Sequence, residues 1–370
     1  MDVENIKVGT RLNDTTALQL TADLTLLPVS DAVQLDFSQT THFEPFAMLL
    51  VSAAANRLRE RLRMAGTDLE IPTKGLDAEG IAAHMGFWQS MGVALGRPIN
   101  AEARSGSYLP ITRIGVDEIY RESGGANPLA SGVIEKRSQK LAIILAQPRS
   151  EQLVEALTYA FRELLRNVIE HAMTPAIWVA GMSWPRRDYV QVAVLDEGRG
   201  IRRSLADNPQ FQCASDVEAI RMALRPGVSR NLGRQPAREA IERFEEEGHA
   251  LPEEVFRNSG YGLYMISALC REAGQFLVAS GAGSLAYIGG AEVQSATAHH
   301  GTALRLALQP SEVPGAWENL FATQGGQARR PLLSASTLRR LGLAPLGGEE
   351  GQRAALPSQK LKDECENLMA

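Results

Sequence analysis

The sequence predicts an α/β chain in two parts, and three observations carry that expectation. Ala32-Val33-Gln34-Leu35-Asp36-Phe37 alternates apolar and polar residues, the pattern of a half-buried strand, and a turn at 38–41 leads into helical spacing from Phe43 to Arg63. Residues 150–172 carry Leu153, Ala156, Leu157, Ala160, Leu164, Val168 and Ile169 on one side, as an amphipathic helix does. Directly after it, 176–182 and 189–195 read as strands, the second alternating Val190, Val192 and Val194. A chain of 370 residues has room for two such units.

In order along the chain, a first unit is expected over 1–145, a smaller α/β domain. It opens with loosely alternating residues such as Leu18-Gln19-Leu20. Its first helix sets Phe46, Leu49, Leu50, Ala53 and Leu58 against Arg57, Arg59, Glu60 and Arg61. Leu69-Glu70-Ile71 reads as the next strand and 81–92 as a further helix, while the glycines, serines and proline of 121–132 read as a loop or hinge. The second unit is expected over 146–310. A long polar stretch, 200–259, follows its first strands; within it 236–248 looks helical and nothing looks like core. Gly260 opens a helix to about 273, and 276–279, 285–288 and 303–308 complete the strands. Residues 311–370, with Gly325-Gly326 and Gly347-Gly348, read as a flexible tail. There is no internal repeat.

Bulk properties narrow the class. With 44% hydrophobic and 22% charged residues the chain is ordinary for a globular protein, and a net charge of -5 supplies no overall pull toward nucleic acid or anionic membrane. The start, MDVENIKVGT, has neither a basic leader nor an apolar run, and the longest apolar run, 46–55, is too short to span a bilayer. Cys213, Cys270 and Cys365 form no paired spacing, which suits a reducing compartment and a cytoplasmic location.

Four clusters carry the chemistry. Glu163, Asn167 and His171 recur at i, i+4 and i+8 on one helical face. A carboxylate and an amide one turn apart suit a metal–nucleotide site, the amide oxygen as a Mg²⁺ ligand and the carboxylate as a base on water; a solvated polar face would show the same spacing. Asp196-Glu197-Gly198-Arg199-Gly200 ends an apolar strand, where a carboxylate can accept from an adenine amino group and glycines let backbone approach a flat base; a tight turn reads the same way. Gly260-Tyr261-Gly262 precedes an amphipathic helix whose first N–H groups could face phosphate, as could those of any glycine-led helix. Gly301-Thr302 stands before the last strand and alone says little.

Taken together and in this order, the clusters resemble the ATP-binding domain of the GHKL superfamily, the histidine kinase-like ATPases of gyrases, large heat-shock chaperones, sensor kinases and mismatch-repair proteins. A phosphate loop of the Gly-x-x-x-x-Gly-Lys type is missing, and Gly260-x-Gly262 lacks the third glycine of a dinucleotide fold. The resemblance implies a Bergerat-type α/β sandwich, a mixed sheet with helices on one face, that binds ATP with Mg²⁺. It implies that Asn167 ligates the metal, Glu163 is the general base, and Asp196 reads adenine. It also implies that Gly198 and Gly200 shape the base pocket, Gly260 and Gly262 present helix-start amides to phosphate, and Thr302 holds adenine through water. Residues 201–259 would be the lid. Asn167-x-x-x-His171 is similar to the anti-sigma-factor serine kinases, where the histidine's simplest role is to end the helix. Glu163 stands where sensor histidine kinases usually place Asn or His, and glutamate there is typical of members that hydrolyse ATP or phosphorylate serine.

Val33 to Phe46 resembles the STAS-type domain of anti-sigma-factor antagonists, in which a strand ending in Asp-Phe/Leu-Ser leads to a helix with a phosphorylatable serine. Here that turn is Glu44-Pro45-Phe46-Ala47 without a hydroxyl, which implies a docking or sensor surface rather than an acceptor. The function expected is therefore slow Mg-ATP hydrolysis coupled to a protein partner through the N-terminal unit or to homodimerisation, with no membrane and no nucleic acid. The alternatives are an anti-sigma-type serine/threonine kinase and an ATP-gated interaction module without turnover.

Overall fold

The computed structural model describes residues 3–28, 32–102, 107–123, 127–147, 150–228 and 260–324. The chain opens with β1 (Val3–Lys7), β2 (Arg11–Leu12) and α1 (Asp14–Leu26). The loose alternation around Leu18-Gln19-Leu20 is thus helical: Asn13 caps α1 by accepting from the Thr16 N–H, and the Thr16 hydroxyl accepts from the Asn13 N–H in return. β3 (Ala32–Asp36), then a short β4 (His42–Phe43) that the patterning does not predict, precede α2 (Pro45–Met64) and β5 (Leu69–Glu70), which it does. The single helix expected over 81–92 is two short ones, α3 (Ile81–His84) and α4 (Phe87–Ser90), parted where Gly86 turns left-handed at φ 75°. β1, β3 and β5 form a parallel sheet in the order β1-β3-β5, and β2 pairs with β4.

The larger sheet has five strands in the order β6-β7-β8-β10-β9: β6 (Tyr108–Gly115), β7 (Ala176–Trp184), β8 (Tyr189–Asp196), β9 (Gly274–Ile288) and β10 (Ala291–Leu308). Every pairing in it is antiparallel, so it is not the mixed sheet expected. β9 runs unbroken through the two strands expected at 276–279 and 285–288, and β10 begins well before 303.

Between β6 and β7 come α5 (Val116–Glu122), α6 (Asn127–Ala146) and α7 (Glu151–Asn167). β6, α5 and α6, which sequence grouped with the first unit up to residue 145, therefore hydrogen-bond and pack with the second, and the loop expected over 121–132 already belongs to α6 from Asn127 onward. After β8 come α8 (Gly200–Leu205), α9 (Asp216–Ala223), α10 (Gly262–Ala273) and, after β10, α11 (Val313–Gln324). Contrary to expectation, the polar stretch does contain core: Leu205, Phe211, Ala219 and Ala223 cluster, and Ile220 is fully buried. The rest of the expected lid, 229–259 with its helical 236–248 portion, lies outside the described residues. So does the tail from 325, but α11 is docked, with Trp317 buried and donating from Nε1 to Glu155 at 3.0 Å.

Both faces of the five-stranded sheet are covered, one by α6, α7, α10 and α11 and the other by α1 and α2 of the first unit. Alternate residues of each strand enter two different cores. On one side Val190, Val192, Val194, Phe276, Val278 and Leu306 meet α6, α7, α10 and α11. On the other, Ala180, Ala193, Ala279, Ala286 and Ala303 meet α1 and α2. Small side chains there let the Ala53-Ala54-Ala55 stretch of α2 lie close to the strands. No helix among the described residues is long and apolar enough to cross a membrane.

Candidate functional site

The four clusters, distant in sequence, meet at one end of the five-stranded sheet. α7 supplies the first. Ser150 caps its start by accepting from the Leu153 N–H, and the apolar stripe buries Leu153, Leu157, Phe161 and Leu164 under the sheet. That burial sets Glu163 and Asn167 one turn apart at the helix's far end, both partly exposed. Immediately after Asn167 the helix widens into a π turn, Val168–Ala172, ended by Met173 in the left-handed region. His171 falls inside this wider turn, so the strict i+8 face is lost; the imidazole lies 3.9 Å from Glu170.

The π turn frees the carbonyl of Ala172, which accepts from the Arg199 N–H at 2.9 Å. Gly198 sits against the same carbonyl: a Cβ there would come within 2.1 Å of its oxygen. Glycine at 198 is thus required by the seating of the strand-end loop on the α7 helix end. Gly200, at φ 76°, starts α8.

Asp196, the last residue of β8, is 2% exposed and pairs across the sheet with Thr302. Its carboxylate accepts from the Gly198 N–H at 2.8 Å and lies beside the backbone and hydroxyl of Thr302. Burial outweighs these contacts and pushes its pKa up to about 6. Asp196 and Thr302, 106 positions apart in number, are therefore direct partners. Ser280, which no sequence signal marked, bonds to both neighbouring loops: it donates to the Gly301 carbonyl at 2.8 Å and accepts from the Ile201 N–H at 3.0 Å.

The glycine pair closes the site. Gly260, at φ 67°, lies against Val228, and Gly262 starts α10 with Glu163 beside it: a Cβ at 262 would sit 2.5 Å from Oε2 of Glu163. Tyr261, at the cap of α10, offers no side-chain hydrogen bond to the first turn. The Glu163 carboxylate therefore lies at the positive end of a twelve-residue helix. Its other oxygen, Oε1, accepts from Arg162 at 3.1 and 3.2 Å, and Arg162 also pairs with Glu135 of α6 at 3.6 Å. Arg162 is a site residue that the motifs did not reveal, since an arginine on a polar helix face is commonplace.

The amide of Asn167 is the least satisfied group in the site. Its Nδ2 is buried and has no hydrogen-bond partner among the described residues, an arrangement that costs free energy unless a ligand atom meets it. No cluster of three His, Cys, Asp or Glu side chains suited to a metal occurs among the described residues. Asn167 would thus be a lone protein ligand to a cation whose other ligands come from water and phosphate, the usual condition of Mg²⁺. No protein-family model, curated protein or solved structure matches the chain. The chemical reading therefore stands on this geometry and on the motifs.

Proposed function

We propose that this chain binds Mg-ATP in a GHKL-type, Bergerat-like site and hydrolyses it slowly, coupling the nucleotide state to a protein partner or to a second copy. The observation that carries the proposal is the convergence of four sequence-distant segments. Glu163 lies beside Gly262, the Gly198 loop is seated on the α7 end just past Asn167, and Asp196 pairs across the sheet with Thr302, all at one end of one sheet.

Each group has a distinct task in this reading. Asp196 accepts a hydrogen bond from the adenine 6-amino group, most strongly in its ionised form. Thr302, beside that carboxylate, holds the water there. The open first turn of α10 faces the phosphates, where its N–H groups and dipole favour anions. The unpartnered Nδ2 of Asn167 fits a phosphate oxygen while its Oδ1 holds Mg²⁺, which supplies charge neutralisation to the phosphates when bound. Glu163 takes a proton from, or orients, the water that attacks the γ-phosphorus; Arg162, on its Oε1, leaves Oε2 turned toward the helix start. A second reading, transfer of the γ-phosphoryl group to a protein serine, is favoured by the Asn167-x-x-x-His171 pattern.

The test is a pair of assays on the full chain. Titration calorimetry with Mg²⁺ should show saturable ATP binding that Glu163→Ala retains, while phosphate release falls about 100-fold in that variant. Labelled phosphate on a candidate partner, rather than free phosphate, would move the assignment to the kinase reading.

A further inference from the structure

Arg57 stands on α2, in the N-terminal unit, yet its guanidinium reaches into the Asp196 cluster. Nε donates to Oε1 of Glu197 at 3.2 Å, and Nη2 lies 3.1 Å from Nδ1 of His299 and 3.4 Å from the carbonyl of His300. His299 is 1% exposed, and its Nε2 is 3.0 Å from the backbone carbonyl of Asp196. Because arginine can only donate, Nδ1 of His299 must accept, and Nε2 must then carry the ring proton and donate to Asp196. The result is a hydrogen-bond chain with one direction, from α2 through a neutral imidazole to the residue that ends β8.

The strand geometry around His299 supports a dedicated role. The pairing of β10 with β9 shifts register on both sides of His299, between Ala296 and His299 and again before Thr302. Such irregularities re-aim a side chain out of the regular alternation. Here His299 is directed to the carbonyl of Asp196, while the Gly198 N–H holds the same residue's carboxylate and Thr302, three residues on, pairs with it across the sheet. Asp196 is thereby fixed at both its backbone and its side chain, and the backbone hold begins at Arg57.

We propose that Arg57 is a positioning residue for the adenine-reading carboxylate, acting through His299, so that the N-terminal unit sets the base preference of the nucleotide site. The proposal rests on the ATP reading above. Inosine presents a 6-oxo acceptor where adenine donates to Asp196, so the arginine matters for ATP and not for inosine triphosphate.

The experiment is competition binding on the full chain, with Mg²⁺ and a fluorescent ATP analogue displaced by ATP or by inosine triphosphate. Wild type should prefer ATP. Arg57→Ala should weaken ATP about tenfold, the cost of one hydrogen bond from a charged donor, and leave inosine triphosphate within about twofold. Arg57→Lys, which keeps the charge but reaches fewer acceptors, should fall between; it decides the matter if the alanine variant does not fold. Arg63→Ala, on the same helix but on an exposed pair with Asp68, should change neither. Equal loss for both nucleotides, or no loss, overturns the inference while leaving the ATP reading intact. Wild type that binds neither overturns both.

Discussion

The two faces of the five-stranded sheet are built on different principles. The face under α7 and α10 is filled by branched and aromatic side chains, Val192, Val194, Phe276 and Leu306 among them, and holds by volume. The face under α1 and α2 presents alanines and is crossed by polar contacts. Arg305 of β10, 3% exposed, pairs with Asp14 of α1 at 3.1 Å and donates to Gln275. Gln191 of β8 donates to Glu44 and accepts from the Phe46 N–H at the start of α2. Arg57 makes the third tie. Apolar packing tolerates sliding, whereas a buried ion pair and its hydrogen bonds are satisfied in a single position. The first face thus builds the site's scaffold, and the second fixes how the N-terminal unit sits on it.

Substitutions on the two faces should separate these roles. The largest effect is expected from Phe161→Ala on α7, fully buried beneath the strands, at about 4 kcal/mol by denaturant unfolding. Asp14→Ala leaves Arg305 buried without its counter-ion and should cost about 3 kcal/mol. Combining Asp14→Leu with Arg305→Met should recover most of that loss, whereas a simple core would show additive losses. Ala193→Leu, which adds volume between β8 and α2, should cost about 2 kcal/mol and weaken the polar ties at the same time.

The smallest effect at neutral pH belongs to the Asp196 cluster, whose signature is its pH dependence. Burial raises Asp196 to about 6 from 3.8, so the stability its neutral form gives is present below 3.8 and lost as pH rises through 6. Burial, with Arg57 beside it, lowers His299 to about 3 from 6.5, so its contribution is present above 6.5 and lost as pH falls toward 3. Between 3.8 and 6 the two slopes oppose each other and cancel. Asp196→Asn should be more stable than wild type at pH 7.5 by about 1 kcal/mol, and relative to wild type should lose about 1.4 kcal/mol per pH unit on acidification through that window. Equal slopes in both proteins would mean that the two groups do not titrate as their burial requires.

Legibility in the sequence follows the same division. The scaffold face is readable because α7 and β8 obey clean periods, 3.6 in Leu153-to-Ile169 and 2 in Val190-Val192-Val194. β6 escapes such a reading because Pro110 interrupts its apolar run, at a pairing irregularity on an edge strand where proline is tolerated. The first half of β10 escapes it because its side chains are exposed and carry no alternation. Glu163, Asn167, Asp196 and Thr302 are legible as residue types at recognisable spacing. Arg57 and His299 are not, since their partnership exists only once α2 lies on the sheet; the adjacent His299-His300 before Gly301 is the sole hint.

Whether the Asp196 end of the sheet takes ATP is tested most directly by titration calorimetry of Mg-ATP into the wild-type chain and into Asp196→Asn, at about pH 7.5 and again near pH 5.5, on either side of the carboxylate's raised pKa. One-to-one binding at the higher pH that weakens several-fold at the lower, as the carboxylate gains its proton, and that is lost in the variant, is the result expected. Absence of binding in the wild type, or equal affinity in the variant, would contradict it.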